Sequence, residues 1–106
     1  MSVDKHEAAA APVGVEMVPL RAERVAFVEL DGETVAYEEE RGTLHLLDQI
    51  ATVVWGCCDG SASVSQLVDE LAGAFGAERA QVDADVRALL GRLVADGLVV
   101  DARDAS

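Results

Sequence analysis

Few residues in this 106-residue chain could carry out chemistry at a metal or disulfide centre. Cys57 and Cys58 are adjacent, and neighbouring side chains of a helix point in different directions, so they cannot form a disulfide framework. Together with His6 and His45 they lack the spacing of a zinc site. The sequence therefore predicts no metal site, and its two free thiols are typical of a reducing cytoplasm.

The usual parts of an enzyme are missing as well. No Ser-His-Asp or Cys-His pairing is suggested, and the sequence has no glycine-rich phosphate loop. Asp59-Gly60-Ser61 is similar to the carrier-serine motif of an acyl carrier protein, but Ala62 follows where that motif needs Leu. We therefore expect a non-catalytic protein that holds no cofactor.

The composition restricts the class of partner. Asp and Glu number 20 against 8 Lys and Arg, which gives a net charge of −12, while 51 % of the residues are hydrophobic. Such a surface repels phosphate backbones and anionic bilayers. No apolar run approaches the roughly 20 residues that span a bilayer. We expect a protein or peptide partner, with no binding to nucleic acid or membrane.

The chain divides into a folded domain and two tails. Residues 1–22 lack periodicity and hold both prolines, which disfavour helix and sheet, so they predict a disordered N-terminal tail. Residues 101–106 are expected to form a disordered C-terminal tail. The domain between them should cover residues 23–100.

Three short strands open the domain. Their apolar and β-branched segments are residues 25–30, 34–38 and 43–47, separated by Asp31-Gly32 and Arg41-Gly42. Both separators are turn signals, so the strands should form an antiparallel meander. Val35 and Tyr37 fall on one face, and three strands alone need a cover over their apolar face.

Three helices should follow the meander. Asp48 is a good N-cap for the first, and Ser63 with Gln66 forms a capping box for the second. The third should run from about Glu78 to Asp96. Its apolar stripe consists of Val82, Val86, Leu89 and Leu93, widened by Leu90 and Val94.

This order predicts an α+β fold that is winged-helix-like, with a three-stranded antiparallel meander followed by three helices. A helix pair of this kind often binds DNA, and a recognition helix should then be basic on its outward face. The third helix instead has a net charge of −1, because four carboxylates face three arginines. Nucleic-acid binding is therefore excluded.

An ordered series of residues resembles the PqqD-like family. The series is Leu46-Leu47-Asp48, Ala51, Trp55, Asp59-Gly60, Val64 with Leu67, Phe75-Gly76, Asp85-Val86, and Leu93 with Gly97-Leu98. The resemblance covers residues 25–100. It departs from the common pattern at Asp48, where Asn is usual and can cap the helix equally well.

The resemblance implies a recognition element, or peptide chaperone, for ribosomally made and post-translationally modified peptides (RiPPs). Such a domain binds the leader segment of a precursor peptide and presents it to a modifying enzyme, often a radical SAM protein. The leader would add as a strand to the third strand, in a cleft against the third helix. The implied peptide-binding residues are Thr43, Leu44, His45, Leu46, Leu47, Val86, Arg87, Leu90 and Val94.

Several alternatives stay open at this point. Leu90 and Val94 could be plain core, and Arg87 could be a solvated residue that pairs with Asp83. The chain could also be a winged-helix scaffold for a partner enzyme, without any leader peptide. An exposed strand edge permits either a monomer or a strand-swapped dimer.

Overall fold

A computed structural model of the chain describes residues 11–104. Its elements are β1 (Pro19–Arg21), β2 (Val25–Leu30), β3 (Glu33–Glu38), β4 (Thr43–Leu47), α1 (Gln49–Gly56), α2 (Val64–Phe75), α3 (Arg79–Ala95) and β5 (Val99–Asp101). The predicted α+β fold, a meander of three antiparallel strands followed by three helices, is confirmed. None of the helices in this part of the chain is long and apolar enough to cross a membrane.

Two hairpin turns fix the meander order β2-β3-β4. Asp31 and Gly32 both have positive φ, 55° and 82°, as a tight hairpin between right-twisted strands requires. The register places Val28, Val35 and Leu46 side by side across the three strands. β4 is thereby left at one edge of the sheet.

The helices cover the face of the sheet that carries Thr34, Ala36 and Glu38 of β3. Thr34, Ala36 and Glu38 of β3 are 1 %, 0 % and 4 % exposed, whereas Val35 and Tyr37 remain 44 % and 42 % exposed. The apolar face that the sequence singles out is therefore the uncovered one. The methyl group of Ala36 occupies little space, which lets the helix layer approach the strand closely.

Hydrogen bonds satisfy the polar groups on the covered face. The hydroxyls of Thr34 and Thr52 lie 3.0 Å apart, and Thr52 also donates to the carbonyl of Leu47 at 3.2 Å. The carboxylate of Glu38 accepts the backbone N–H groups of Glu40 and Arg41. These bonds allow polar side chains to be buried at the sheet–helix contact.

The predicted helix signals are present. Asp48 accepts the N–H of Ala51 at 2.9 Å, and Ser63 with Gln66 forms the capping box. Gly76 ends α2 in the left-handed conformation with φ of 62°. The series of caps therefore sets the ends of α1 and α2 locally, before any packing is considered.

The core lies between the sheet and all three helices, and Trp55 connects its parts. This side chain is 3 % exposed, and its indole N–H donates to the carbonyl of Leu98 at 3.0 Å. Its ring meets Phe27 edge-to-face with centroids 5.0 Å apart. The largest fully buried side chains are aliphatic, as the composition predicts, and include Leu90, Leu93 and Leu98.

The folded part extends beyond residues 23–100 at both ends. β1 pairs antiparallel with β5 from Pro19↔Asp101 to Arg21↔Val99, and Met17 is 7 % exposed. The tail boundaries at 22 and 101 are corrected accordingly; residues 1–10 and 105–106 of the two predicted tails lie outside the described residues. Backbone pairing between three-residue strands about eighty positions apart leaves no periodic signal in the sequence.

The carboxylate of Asp101, at the end of β5, stabilises the pairing of β1 with β5. Asp101 accepts the N–H of Val18 at 3.2 Å and forms an ion pair with Arg103 at 2.8 Å. The hydrogen bond from the Arg103 side chain is the largest cause that lowers the pKa of Asp101 from 3.8 to about 2, and burial, which raises the pKa, opposes it.

Asp101→Asn is expected to lower the melting temperature at neutral pH. A lowered pKa in the folded state means that the ionised Asp101 stabilises the fold above its unfolded pKa. This stabilisation should be lost as the pH falls through the range from about 4 to about 2. Thermal unfolding of both proteins across that range tests this. A difference in melting temperature that persists unchanged below about pH 2 would contradict it.

Candidate functional site

β4 presents an open strand edge. Within residues 11–104 it pairs with β3 alone, so the backbone N–H and C=O groups on its other side have no strand partner. The outer edge of β2 is open in the same way. Open edges of this kind accept an added strand, and no Lys or Pro in β4 guards against it.

A groove beside the edge distinguishes β4 from β2. A cavity of about 420 Å³ lies between β4 and α3. The α3 side chains that line it are Leu89, Arg92, Leu93 and Asp96, which recur at helical spacing along one side of the helix. The groove thus combines a free strand edge with a partly apolar helix wall.

Polar contacts close the groove at the start of β4. His45 Nδ1 lies 3.5 Å from a carboxylate oxygen of Asp96, and the hydroxyl of Thr43 contacts His45 Nε2 at 2.9 Å. Arg41 donates to the carbonyl of Ala95 at the end of α3, at 2.9 Å. These contacts hold the end of α3 at a fixed distance from the strand.

The other end of the groove lies at the junction of β4 and α1. Asp48 and Ala51 line it there, together with Glu33 from the neighbouring strand. The cap between Asp48 and Ala51 fixes the direction in which the chain leaves β4. The groove wall consequently stands on rigid elements at both ends.

The charges of the groove are mixed. Glu33, Asp48 and Asp96 line it together with Arg92 and His45. Leu89 supplies apolar surface on the α3 side between these polar groups, whereas Leu93, which also lines the groove, is only 2 % exposed. An extended peptide could therefore bury apolar side chains against α3 and pair its polar ones at the margins.

All five β4 residues that the family resemblance implied lie along this edge. Leu44 and Leu46 point outward and are 69 % and 71 % exposed, whereas Leu47 is buried. His45 points to the helix side, where its side chain is 20 % exposed. Thr43 lies beside it at the closed end of the groove. Their role in binding a peptide stays a prediction.

The four implied residues of α3 lie elsewhere. Val86 and Leu90 belong to the core and are 5 % and 0 % exposed. Val94 lines a second cavity, and Arg87 forms an ion pair with Asp83 at 3.4 Å. The α3 residues that lie beside β4 are instead Leu89, Arg92, Leu93 and Asp96. Which residues of α3 contact a peptide stays a prediction.

The residues implied from the sequence left out two groups of α3 side chains that line the groove. Leu89 and Leu93 belonged to the predicted apolar stripe, so the stripe itself was a usable signal for them. Arg92 and Asp96 carried no such signal, because their position becomes visible only when α3 is placed against β4.

The chain covers the opposite side of α3 with its own N-terminal segment. Val13 donates its N–H to the carbonyl of Arg87 at 3.2 Å, and the Arg87 side chain returns a bond to the carbonyl of Val13 at 2.7 Å. The backbone passes so close to Gly91 that a Cβ there would overlap the carbonyl of Ala11. This side of the helix is thereby occupied.

The second cavity lies on that occupied side. It measures about 810 Å³ and is lined partly by β1 and β5. Those strands are three residues long and pair with each other. The cavity is larger than the groove, but it lacks the five-residue open edge that β4 offers.

The two thiols provide no nucleophile in this structure. Burial raises the pKa of Cys58 to about 12, and its Sγ donates to the carbonyl of Val54 at 3.2 Å. Burial and nearby carboxylates also raise the pKa of Cys57. Both side chains are therefore protonated at neutral pH, whereas thiol chemistry needs the thiolate.

Comparison with known proteins shows that the chain matches a protein family. The family model for coenzyme PQQ synthesis protein D (PqqD) matches residues 33–99, from β3 to the start of β5. The PqqA binding protein of Rhodopseudomonas palustris strain BisB5 is 39 % identical over 59 residues, 56 % of this chain and 58 % of the relative. That of strain HaA2 is 40 % identical over 57 residues, 54 % of this chain and 56 % of the relative.

A solved structure shares the fold. TbiB1, in its complex with the TbiA(beta) leader peptide, superposes with a TM-score of 0.68 at 22 % identity, covering 76 % of this chain and 93 % of TbiB1. The match to the curated relatives spans less than two thirds of their length. The family model spans well over half of this chain, and the chain therefore belongs to the PqqD family.

Proposed function

We propose that this protein is a non-catalytic leader-peptide-binding chaperone of RiPP biosynthesis. The leader of a precursor peptide adds as a strand to β4 and lies in the groove against α3. The protein then presents the leader to a modifying enzyme, such as a radical SAM protein. The proposed setting is the cytoplasm, where the free thiols would stay reduced.

The observation that carries this proposal is the open edge of β4 beside a groove with an apolar wall. Two relatives in the family are named for binding the peptide PqqA, and the structure with the same fold holds a leader peptide. These names support a peptide ligand over the alternative of a scaffold without a leader.

Magnitudes indicate that the groove is needed in addition to the edge. About five main-chain hydrogen bonds, at ~1 kcal/mol each, barely offset an association cost of about 4–15 kcal/mol. Two or three buried apolar side chains of the leader would add about 1.5–3 kcal/mol each. Leu89 of α3, together with the exposed Leu44 and Leu46 of β4, offers the surface for that burial.

Strand geometry determines where the side chains of the leader go. Successive residues of a strand point to opposite faces, so every second residue would enter the groove. The residues between them would lie on the outer face, next to Leu44 and Leu46. We therefore expect the leader to show an apolar residue at every second position.

The direct test is NMR titration of the protein with a synthetic leader. The peptide would be taken from a short open reading frame that neighbours the gene. Backbone amides of residues 43–47 should shift, together with those of Leu89, Arg92 and Leu93. Shifts that cluster on α2 would overturn strand addition, and so would the absence of shifts at saturating peptide.

A further inference from the structure

The outer face of the meander is an extended apolar surface. Cross-strand partners share a face, so the register brings six large hydrophobic side chains together on the side away from the helices. This outer face consists of Val28, Leu30, Val35, Tyr37, Leu44 and Leu46, which are 42–71 % exposed.

Its composition differs from that of an ordinary solvated sheet face. The only charged outward residue of the three strands is Glu33, since Ala26 fills the remaining position. The exposed apolar area is on the order of 600 Å², the upper end for the largest such patch on a monomer. A solvated face of an antiparallel sheet normally carries polar side chains at these positions.

We propose that two copies of this chain pair through the outer face. A two-fold axis would bring the same surface of each copy together and stack the sheets face to face. About 600 Å² of apolar centre, with a polar rim, approaches the about 800 Å² per partner of a stable interface. The predominance of hydrophobic residues fits a homodimer better than a transient contact.

The outer face and the groove share Leu44 and Leu46, whereas Val28 and Val35 at the centre of the outer face do not line the groove. A leader paired with β4 would therefore extend the edge of the outer face, and its outward side chains would lie at the rim of the dimer contact. The inference rests on the apolar face itself and does not depend on the proposed function. It also differs from a strand-swapped dimer, which would consume the edge of β4.

Charge gives the dimer a diagnostic salt response. Each copy carries a net charge of −12, so the two copies repel each other at long range. Salt screens that repulsion, and the dimer should therefore become tighter as NaCl rises from about 0.05 to about 0.5 M. A partner held by complementary basic residues would show the opposite trend.

The test is sedimentation equilibrium of the full chain over a range of protein and salt concentrations. The double variant Val28→Lys/Val35→Glu places opposite charges on a cross-strand pair, which preserves the sheet. It should weaken the dimer by about tenfold or more. Phe75→Lys replaces a 51 % exposed aromatic at the end of α2 and should leave the dimer unchanged.

Two results would overturn the proposal. One is a monomer at every protein and salt concentration. The other is a dimer that survives the double variant, which would place the contact at a strand edge. If circular dichroism shows that the charged variant is unfolded, Val28→Thr/Val35→Thr keeps the branched shape and tests the same weakening.

Discussion

Leu89→Asp should abolish most of the affinity for the leader peptide. Leu89 lies on the groove side of α3, packs partly against the core and faces the open edge of β4. The change would remove apolar contact worth about 1.5–3 kcal/mol. It would also place a charged carboxylate in the groove, where apolar side chains of the leader are expected to pack. We expect the Kd, measured by isothermal titration calorimetry with the synthetic leader, to rise by about ten- to a hundredfold.

Val94→Asp is the matched control for this experiment. Val94 is also a partly exposed aliphatic residue of α3, and the sequence placed it in the peptide wall. In the structure it lines the cavity on the opposite side of the helix and is 39 % exposed. Its variant should bind the leader like the parent protein. If Val94→Asp loses affinity and Leu89→Asp does not, the wall lies on the other side of α3.

Leu90→Ala should strongly lower the stability of the fold. Leu90 is 0 % exposed at the centre of the core, so the truncation leaves a cavity. The expected cost is about 2–5 kcal/mol. For a domain of this size that lowers the melting temperature by roughly 10 °C or more. Leu90→Asp should abolish cooperative unfolding, because it buries a carboxylate without a partner.

The control for Leu90 is again at Val94. Val94→Ala should change the free energy of unfolding by no more than about 0.5 kcal/mol, as expected for a surface position. Chemical denaturation of the Leu90→Ala, Leu90→Asp and Val94→Ala variants, each against the parent protein, provides the comparison. A Leu90→Asp variant that unfolds cooperatively and has lost only peptide binding would return Leu90 to the groove wall.

Much of the fold could be predicted because its signals are local. Asp31-Gly32 sets the first hairpin, and Asp48 and Ser63 begin their helices through bonds to backbone groups three residues away. These interactions depend on neighbours in sequence. The strands of residues 25–30 and 43–47 accordingly have the bounds expected from the pattern.

The helix wall could not be predicted, because α3 is apolar over a wide sector. Leu89, Leu90 and Val94 all lie in that sector, yet they face the groove, the core and the second cavity respectively. The rotation of α3 about its axis depends on distant contacts. Two of these are the close approach of Ala11 to Gly91 and the hydrogen bond from Arg87 to Val13. Neither contact produces a recognisable pattern in the neighbouring sequence.

Which face of the sheet the helices cover could not be predicted from the sequence either. By hydrophobicity alone, Val35 and Tyr37 should turn inward rather than Thr34 and Glu38. Burial of Thr34 depends on a hydroxyl partner on α1, and burial of Glu38 depends on N–H groups of the following turn. Such satisfied polar groups are compatible with a core, but hydropathy does not reveal them.

The pairing of β1 with β5 has a consequence for how this domain can be joined to other polypeptides. It brings Pro19 and Asp101 side by side, and the segment before β1, residues 13–17, lines one cavity together with Asp101 and Arg103. Both ends of the described chain therefore approach the same side of the domain, and neither β1 nor β5 contributes a residue to the groove. The proposed modifying enzyme could be fused to either end of the domain through a short linker, and the junction would lie away from the groove.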